Sequence, residues 1–403
     1  MKILLVADLY YPPTLGGSAI AFRRLAHGLA LQGHEVWVIA PGLKGFRHYV
    51  ERDGQTVVIR CRSIPDLRII SAPGKTTVRV PLIPDGIIER TLDRFKPDVV
   101  HLQAPGYAGV IAVRLARKRN IPLVATCHSI PENYWNPKDK GSNVFKAVKD
   151  GLWDMILAML EPCDLVCAPT VTACDLLHEN GLARQAIPIS NGIELDRYTP
   201  PASEAEVRQL RSRFGFPQDR PVVLYCGRFS PEKRVDVLLD AIPSVLRRVP
   251  AHFAFVGTGT IDIAGELESR GLAGVGTLTG LLDDQAMPLV YRAADAFVLP
   301  SEAELQGLVL LEAAASGLPL VGANALAIPE IVHHGVNGYL HVPGNAEDLA
   351  DRLADLLVDP ELRRAMGRRG LDLVAKHAIS ESIKQYEEVY REAISRIATA
   401  GRS

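Results

Sequence analysis

Lys2-Ile3-Leu4-Leu5-Val6-Ala7 leads through a loop to Gly16-Gly17, followed by Ser18-Ala19-Ile20-Ala21-Phe22 and onward to Gln32. The apolar run stops at Asp8, which is strand length and too short for the apolar part of a secretory leader. From Ser18 to Gln32 the apolar residues recur at helical spacing, and Gly33 is placed to cap the helix end. Glu35 to Ala40 then reads as a second strand. The order is β, glycine loop, α, β, the opening unit of a parallel sheet with crossover helices.

Working outward, further strands are predicted at Asp98–Leu102, Leu123–Cys127 and Asp164–Ala168. The pattern restarts beyond Asn191-Gly192 and the turn-rich Tyr198-Thr199-Pro200-Pro201, with strands at Val222–Cys226, Phe253–Val256, Gly276–Thr279, Ala296–Leu299 and Leu320–Val321. The expectation is an α/β protein of two doubly wound, Rossmann-like domains, at 1–195 and 196–378. A last helix, from Ile379 to about Ile397 within residues 379–403, has no strand after it and is expected to pack back on the first domain. Open parallel sheets bind ligands beyond the carboxyl ends of their strands, so two such sheets are expected to face each other across a cleft.

Composition bounds the function. The 403 residues suit two domains better than one core. A net charge of −1 gives no basis for nucleic-acid binding. Cys61, Cys127, Cys163, Cys167, Cys174 and Cys226 form no close metal-ligating or redox pair and read as buried free thiols, pointing to a reducing, cytoplasmic setting. The strongest apolar stretch, Gly151 to Leu160, is too short to span a membrane and carries Asp154.

Four features could carry chemistry. Gly16-Gly17 precedes a helix, so backbone amides can approach an anion there; the alternative is a tight turn, and the dinucleotide fingerprint is absent. Gly227-Arg228-Phe229-Ser230-Pro231-Glu232-Lys233 follows the first strand of the second half and places two cations where a diphosphate would need neutralising; the alternative is surface ion pairing. In Glu304-Leu305-Gln306-Gly307-Leu308-Val309-Leu310-Leu311-Glu312, Glu304 falls in a loop and Glu312 inside a helix. Eight helical residues would rise roughly 12 Å, comparable to the distance from a donor sugar to a ribose. A carboxylate accepts two hydroxyls of a vicinal diol, and the amides of Gln306, Gly307 and Leu308 would face a diphosphate. His128 directly follows a strand and so points to a ligand-binding edge; His101, inside a strand, reads as structural.

Taken in order, Gly16-Gly17, His128, Arg228, Lys233 and Glu304-x7-Glu312 resemble the retaining glycosyltransferases of family 4, with their two-domain GT-B fold. Weaker stretches join them: Pro97-Asp98-Val99-Val100-His101, Ser190-Asn191-Gly192-Ile193, Val256-Gly257-Thr258-Gly259, Thr279-Gly280 and Ser316-Gly317-Leu318-Pro319. The resemblance implies a nucleotide-sugar donor, with Gly17 near its distal phosphate, Gly16 beside it in the donor site, and Arg228 and Lys233 on the diphosphate. It also implies Glu304 on sugar hydroxyls, Glu312 on the ribose, and His128 near the reacting carbon. Gly257, Gly280, Gln306, Gly307 and Leu308 complete the donor site. Neither a covalent nucleophile nor a metal is implied, since no Asp-x-Asp motif is present and cations with amides can stabilise the leaving group. No cofactor is expected.

For the acceptor, Glu304-Leu305-Gln306-Gly307-Leu308 is similar to the Glu-Thr-Gln-Gly-Leu form of bacterial glycosyl-diacylglycerol synthases, with Leu305 in place of Thr. His128-Ser129-Ile130-Pro131-Glu132-Asn133 resembles a stretch of a related subgroup. From 137 to 160, Lys138, Lys140, Lys146 and Lys149 precede Leu152, Trp153, Met155, Ile156, Leu157, Met159 and Leu160. Such a stretch reads either as a peripheral contact with an anionic membrane or as a solvated lysine run before a core helix. The leading expectation is hexose transfer from UDP-glucose to a membrane lipid. Others are transfer to a soluble sugar or polysaccharide unit, nucleotide-sugar epimerisation, a pyridoxal-phosphate phosphorylase, and a non-catalytic nucleotide-sugar binder.

Overall fold

A computed structural model describes residues 1–12, 16–44, 46–65, 79–82, 84–104, 106–131, 143–201 and 203–400. The chain divides into two compact units, the first made of residues 1–131 and 143–192 with the helix Ile379–Ala400, the second of Ile193–Ala378.

In the first unit the strands are β1 (Lys2–Val6), β2 (Glu35–Pro41), β3 (Tyr49–Asp53), β4 (Thr56–Cys61), β5 (Ser63–Pro65), β6 (Arg79–Pro81), β7 (Val99–Ala104), β8 (Leu123–Cys127), β9 (Leu165–Ala168) and β10 (Ala186–Pro188). Eight form one sheet in the order β10-β9-β8-β7-β1-β2-β4-β3, parallel throughout except for antiparallel β3 at the edge. Every residue of β8 and β9 is buried, as expected for strands covered on both faces. The helix Gly17–Leu31 ends as the glycine pattern requires. Gly33 lies at φ +85°, its N–H donates to Ala30 O, and the next amide, His34, donates to Leu29 O.

The helix Ile379–Ala400 joins this unit's core. Ile383, Tyr386, Val389, Tyr390 and Ala393 pack with Phe22, Leu25, Ala26 and Leu29. A buried polar chain fixes its register: His101 Nδ1 meets Tyr390 Oη at 2.7 Å, His101 Nε2 meets Thr126 Oγ1 at 2.8 Å, and Thr126 Oγ1 meets Tyr386 Oη at 3.0 Å. Both nitrogens of His101 are thereby occupied, and its role is structural.

The second unit has a six-stranded, wholly parallel sheet. Its strands are β11 (Val222–Cys226), β12 (His252–Val256), β13 (Gly276–Gly280), β14 (Ala296–Leu299), β15 (Leu320–Ala323) and β16 (Gly338–His341), in the order β13-β12-β11-β14-β15-β16. Chain order reverses beside β11, so loops after β11, β12 and β14 gather at the edge where open sheets take ligands.

The six cysteines are buried free thiols. In the helix Asn143–Leu160 the apolar residues Trp153, Ile156, Met159 and Leu160 are buried in the unit's core. Its exposed positions include Lys146, Val148, Asp150, Asp154 and Met155. Trp153, Ile156, Met159 and Leu160 thus have protein partners, as a core helix requires, while Val148 and Met155 remain exposed. Lys138 and Lys140, like Glu132 and Asn133, lie outside the described residues. Among the described residues no helix is long and apolar enough to cross a membrane.

Candidate active site

The second unit assembles its site from three strand-end loops that approach too closely for side chains. After β11, Gly227 has φ +157°; after β12, Gly257 has φ +133°, and a Cβ on Gly257 would lie 2.0 Å from Gly227 O. Gly259 is equally confined, since its Cβ would fall 2.1 Å from Phe229 O. Backbone hydrogen bonds lace the loops together: Gly227 N–H to Val256 O at 3.0 Å, Phe229 N–H to Thr258 O at 3.1 Å, and Gly257 N–H to Gly280 O at 2.9 Å. Gly257 is thus required by backbone approach, and Gly280 is favoured by its left-handed φ of +71°.

Charged side chains ride on this frame. Pro231–Lys233 form a short 3-10 turn ahead of the helix Val235–Arg248. Lys233 Nζ donates to Glu304 Oε1 at 2.6 Å, and both side chains are largely buried, at 17% and 12% exposure. Two candidates 71 residues apart in sequence are therefore in direct contact. Arg228 pairs with Glu232 at 2.8 Å but remains 61% exposed, so this ion pair leaves most of the guanidinium open to solvent. Glu232, which the sequence reading passed over, is 8% exposed and accepts from Ser230 Oγ at 2.7 Å as well. Arg234 is tied to Glu302 alongside.

Glu304 sits in a loop, and Glu312 lies within the helix Leu308–Ala315, as the sequence suggested. The expected rise of eight helical residues needs correction. The helix starts only at Leu308, after Gly307 at φ +74°, so the helical rise to Glu312 is about 6 Å and the rest of the path is loop. Gln306 is buried at 3% and Glu312 at 8% exposure, and Glu312 Oε2 accepts from Tyr291 Oη at 3.1 Å. Burial, with the Cys226 and Glu312 side chains nearby, holds the Tyr291 phenol far above its ordinary value, so it stays a donor. Glu312 accordingly faces inward.

In the first unit His128 directly follows β8 and stands edge-on to Phe22, ring centres 6.4 Å apart. Burial lowers its imidazole to about 4, so it is neutral at physiological pH, and Nδ1 has no hydrogen-bond partner among the described residues. Gly16 caps the helix Gly17–Leu31 with φ −173°, extended backbone open to any residue, and a Cβ there would meet nothing within 4 Å among the described residues. A tight turn is therefore not what places glycine at 16. One titratable group went unremarked in the sequence: Asp8, just after β1. Its Oδ1 accepts from Ala108 N–H at 3.1 Å, Oδ2 is buried without a partner, and burial raises its carboxyl to about 6 despite the amides at the start of the helix Tyr107–Arg117. Gly106 makes room for it, since a Cβ there would lie 1.9 Å from Oδ2. The signal was a carboxylate ending a strand with a glycine a hundred residues on, a pairing that sequence spacing does not reveal.

Comparison with known proteins places both units in known families. Residues 15–197 match the model for Glycosyltransferase Family 4 and residues 206–372 that for Glycosyl transferases group 1, one on each unit. The chain is 32% identical over 290 residues to the sulfoquinovosyl transferase SQD2 of Arabidopsis thaliana; this aligns 70% of the chain and about half, 54%, of that protein. It is 26% identical over 367 residues to the alpha-monoglucosyldiacylglycerol synthase of Streptococcus pneumoniae, covering 89% of the chain and 78% of the relative. Among solved structures, Anabaena HepE, crystallised with UDP-glucose, aligns with TM-score 0.73 at 20% identity, over 97% of this chain and all of that one. The chain belongs to the family 4 glycosyltransferases, of the GT-B fold class.

Proposed function

We propose that the protein transfers a hexose, glucose in the leading case, from a UDP-sugar to a membrane lipid of the diacylglycerol type, with retention of anomeric configuration and without a metal. The observation that carries the reading is the buried Lys233–Glu304 pair beside exposed Arg228 on the glycine-laced loops. Such a pair presents a cation to a diphosphate and a carboxylate to sugar hydroxyls within one small space. HepE supports a uridine donor and the pneumococcal synthase a lipid acceptor, each by what its own name states.

Each residue then has a task. Arg228 and Lys233 neutralise the diphosphate, joined by the amides of Gly307 and Leu308 at the helix start. Glu304 accepts hydroxyls of the donor sugar, Gln306 lines its pocket, and Glu312 accepts from the ribose. Gly257 and Gly280 hold the loops close enough to admit the donor. Gly16 and Gly17 offer backbone near the distal phosphate, and neutral His128 contacts the sugar near its reacting carbon. In the transfer step the acceptor oxygen bonds to the anomeric carbon on the face the phosphate leaves. The carbon–oxygen bond to phosphate breaks with its electron pair on the phosphate, and that phosphate takes the hydroxyl proton. Cations and amides fixed in advance lower the barrier by stabilising the developing phosphate charge. The enzyme works as a peripheral protein on the cytoplasmic face of the membrane.

A second reading, transfer to a soluble acceptor, draws support from Trp153, Ile156, Met159 and Leu160, which are spent on the core rather than offered to a bilayer. Thermal-shift titration with UDP-, GDP- and ADP-glucose, followed by product analysis with lipid vesicles and with soluble sugars, tests both. A true donor raises the melting temperature by mass action. Stabilisation by none of the three would remove the donor assignment, and product with soluble sugars alone would remove the lipid.

A further inference from the structure

Inside the first unit, Ala21, Phe22, Leu25, His128, Asn191, Ile379, Ser382 and Tyr386 line a small, partly open cavity of about 10 Å³. That is the least space that holds one water molecule. Six of these contribute apolar or already satisfied surface; Tyr386 Oη, for instance, is bonded to Thr126. Two do not. Among the described residues His128 Nδ1 and Ser382 Oγ are both buried atoms with no hydrogen-bond partner, and Ser382 as a residue is only 2% exposed. Two orphaned polar atoms on one small cavity is an unusual arrangement, because a buried polar group left without a partner has lost its water without compensation.

We propose that a single water fills this cavity and bridges Ser382 Oγ to His128 Nδ1, making Ser382 a positioning residue for His128. The hydroxyl both donates and accepts, so it can serve either orientation of the water. A hydrogen bond at one imidazole nitrogen fixes which nitrogen carries the proton and how the other is aimed. With its charge suppressed by burial, His128 is a neutral ring whose usefulness to a sugar hydroxyl depends on that choice. Ser382 reaches the cavity from the helix Ile379–Ala400, whose register is set by the Tyr386 and Tyr390 hydroxyls. The neighbouring wall is Gly192, where a Cβ would sit 2.8 Å from Ser382 Oγ. Glycine there keeps the hydroxyl turned toward the cavity.

The test uses the full chain with 15N-labelled histidine, His128 resonances being assigned by loss in His128→Gln. In the wild type the two ring nitrogens are well separated, reporting one dominant tautomer. Ser382→Ala reduces that separation by half or more, with the melting temperature within about 2 °C of wild type. The same variant lowers kcat about tenfold, equivalent to about 1.4 kcal/mol of barrier, while the donor KM stays within about twofold. Should Ser382→Ala fail to fold, Ser382→Cys, similar in size with a weaker donor, gives the same readout at smaller amplitude. An unchanged tautomer in a folded variant overturns the proposal. The kinetic half rests on the reading of His128 against the donor sugar, but the spectrum is recorded without substrate. If His128→Ala retains transfer while Ser382→Ala still shifts the spectrum, that reading fails and the bridge stands.

Discussion

The candidate residues of the two units are held in opposite ways. In Ile193–Ala378 the candidate residues come as matched pairs: Lys233 with Glu304, Arg228 with Glu232, Tyr291 with Glu312. In the first unit His128, Asp8 and Ser382 each keep a buried atom unmatched among the described residues, and burial is the largest influence on the protonation of the first two, opposed at Asp8 by backbone amides. A paired site is organised electrostatically before any ligand arrives, whereas a site of isolated groups in apolar surroundings is tuned by exclusion of water. The first arrangement suits binding of a fixed, highly charged group, and the second keeps a neutral imidazole near a reacting carbon.

The sharpest way to break this contrast is to remove one member of the buried pair. Glu304→Ala should lower kcat about 10²–10³-fold, the scale of losing one preorganised stabilising group, measured as nucleotide release at saturating donor. A variant within tenfold of wild type would show that the pair is only structural. Gly257→Ala forces a Cβ into Gly227 O and should cost more than about 3 kcal/mol in chemical denaturation, with the damage confined to the second unit.

The pH dependence separates the units further. His128 and His101 are held neutral by burial, at about 4 and about 3, His101 also being opposed by His128. Below about 6.5 the unfolded chain takes up protons that these folded rings refuse, so stability is lost as pH falls from about 6.5 toward 4. Asp8 works with the opposite sign. Its folded carboxyl titrates at about 6, above the unfolded value of 3.8, so the fold gains as pH drops from about 6 to 4 and is penalised above it. Asp8→Asn should therefore raise the melting temperature most at pH 7.5, less near pH 4.5, and not at all below about 3.8, where both states are protonated; equal shifts at pH 7.5 and 4.5 would show that ionisation is not involved. Smallest of all, Gly16→Ala should change stability by less than about 0.5 kcal/mol, since neither φ nor packing requires glycine there. A donor KM raised several-fold in that same variant would tie Gly16 to ligand approach, and an unchanged KM would remove it from the site.

Much of this was legible in sequence because parallel strands buried on both faces write continuous apolar runs. Leu123–Cys127 and Val222–Cys226 occur in the structure with the bounds read from the residues. Tyr49–Asp53 was missed because an antiparallel edge strand, half solvated, carries Glu51, Arg52 and Asp53 instead. Ala186–Pro188 ends in proline, and Gly338–His341 offers only two apolar side chains, so neither shows a run. Thr56–Cys61 did carry a signal in Val57-Val58-Ile59, interrupted by buried Arg60. At the site, charged residues in motifs could be named from spacing. Contacts between distant segments could not: nothing local to Gly257 announces Gly227 O, and nothing near His128 announces Ser382.

The helix Ile379–Ala400 belongs to the first unit's core, yet it follows all of Ile193–Ala378 in the chain. On the ribosome, at about 5–20 residues per second, those intervening residues take roughly 10–40 s to make. During that interval the nascent first unit exposes the faces of Phe22, Leu25 and Leu29 that the helix later covers, while the second unit can already close on itself. Maturation is therefore expected to run against the direction of synthesis, with the part begun first being finished last.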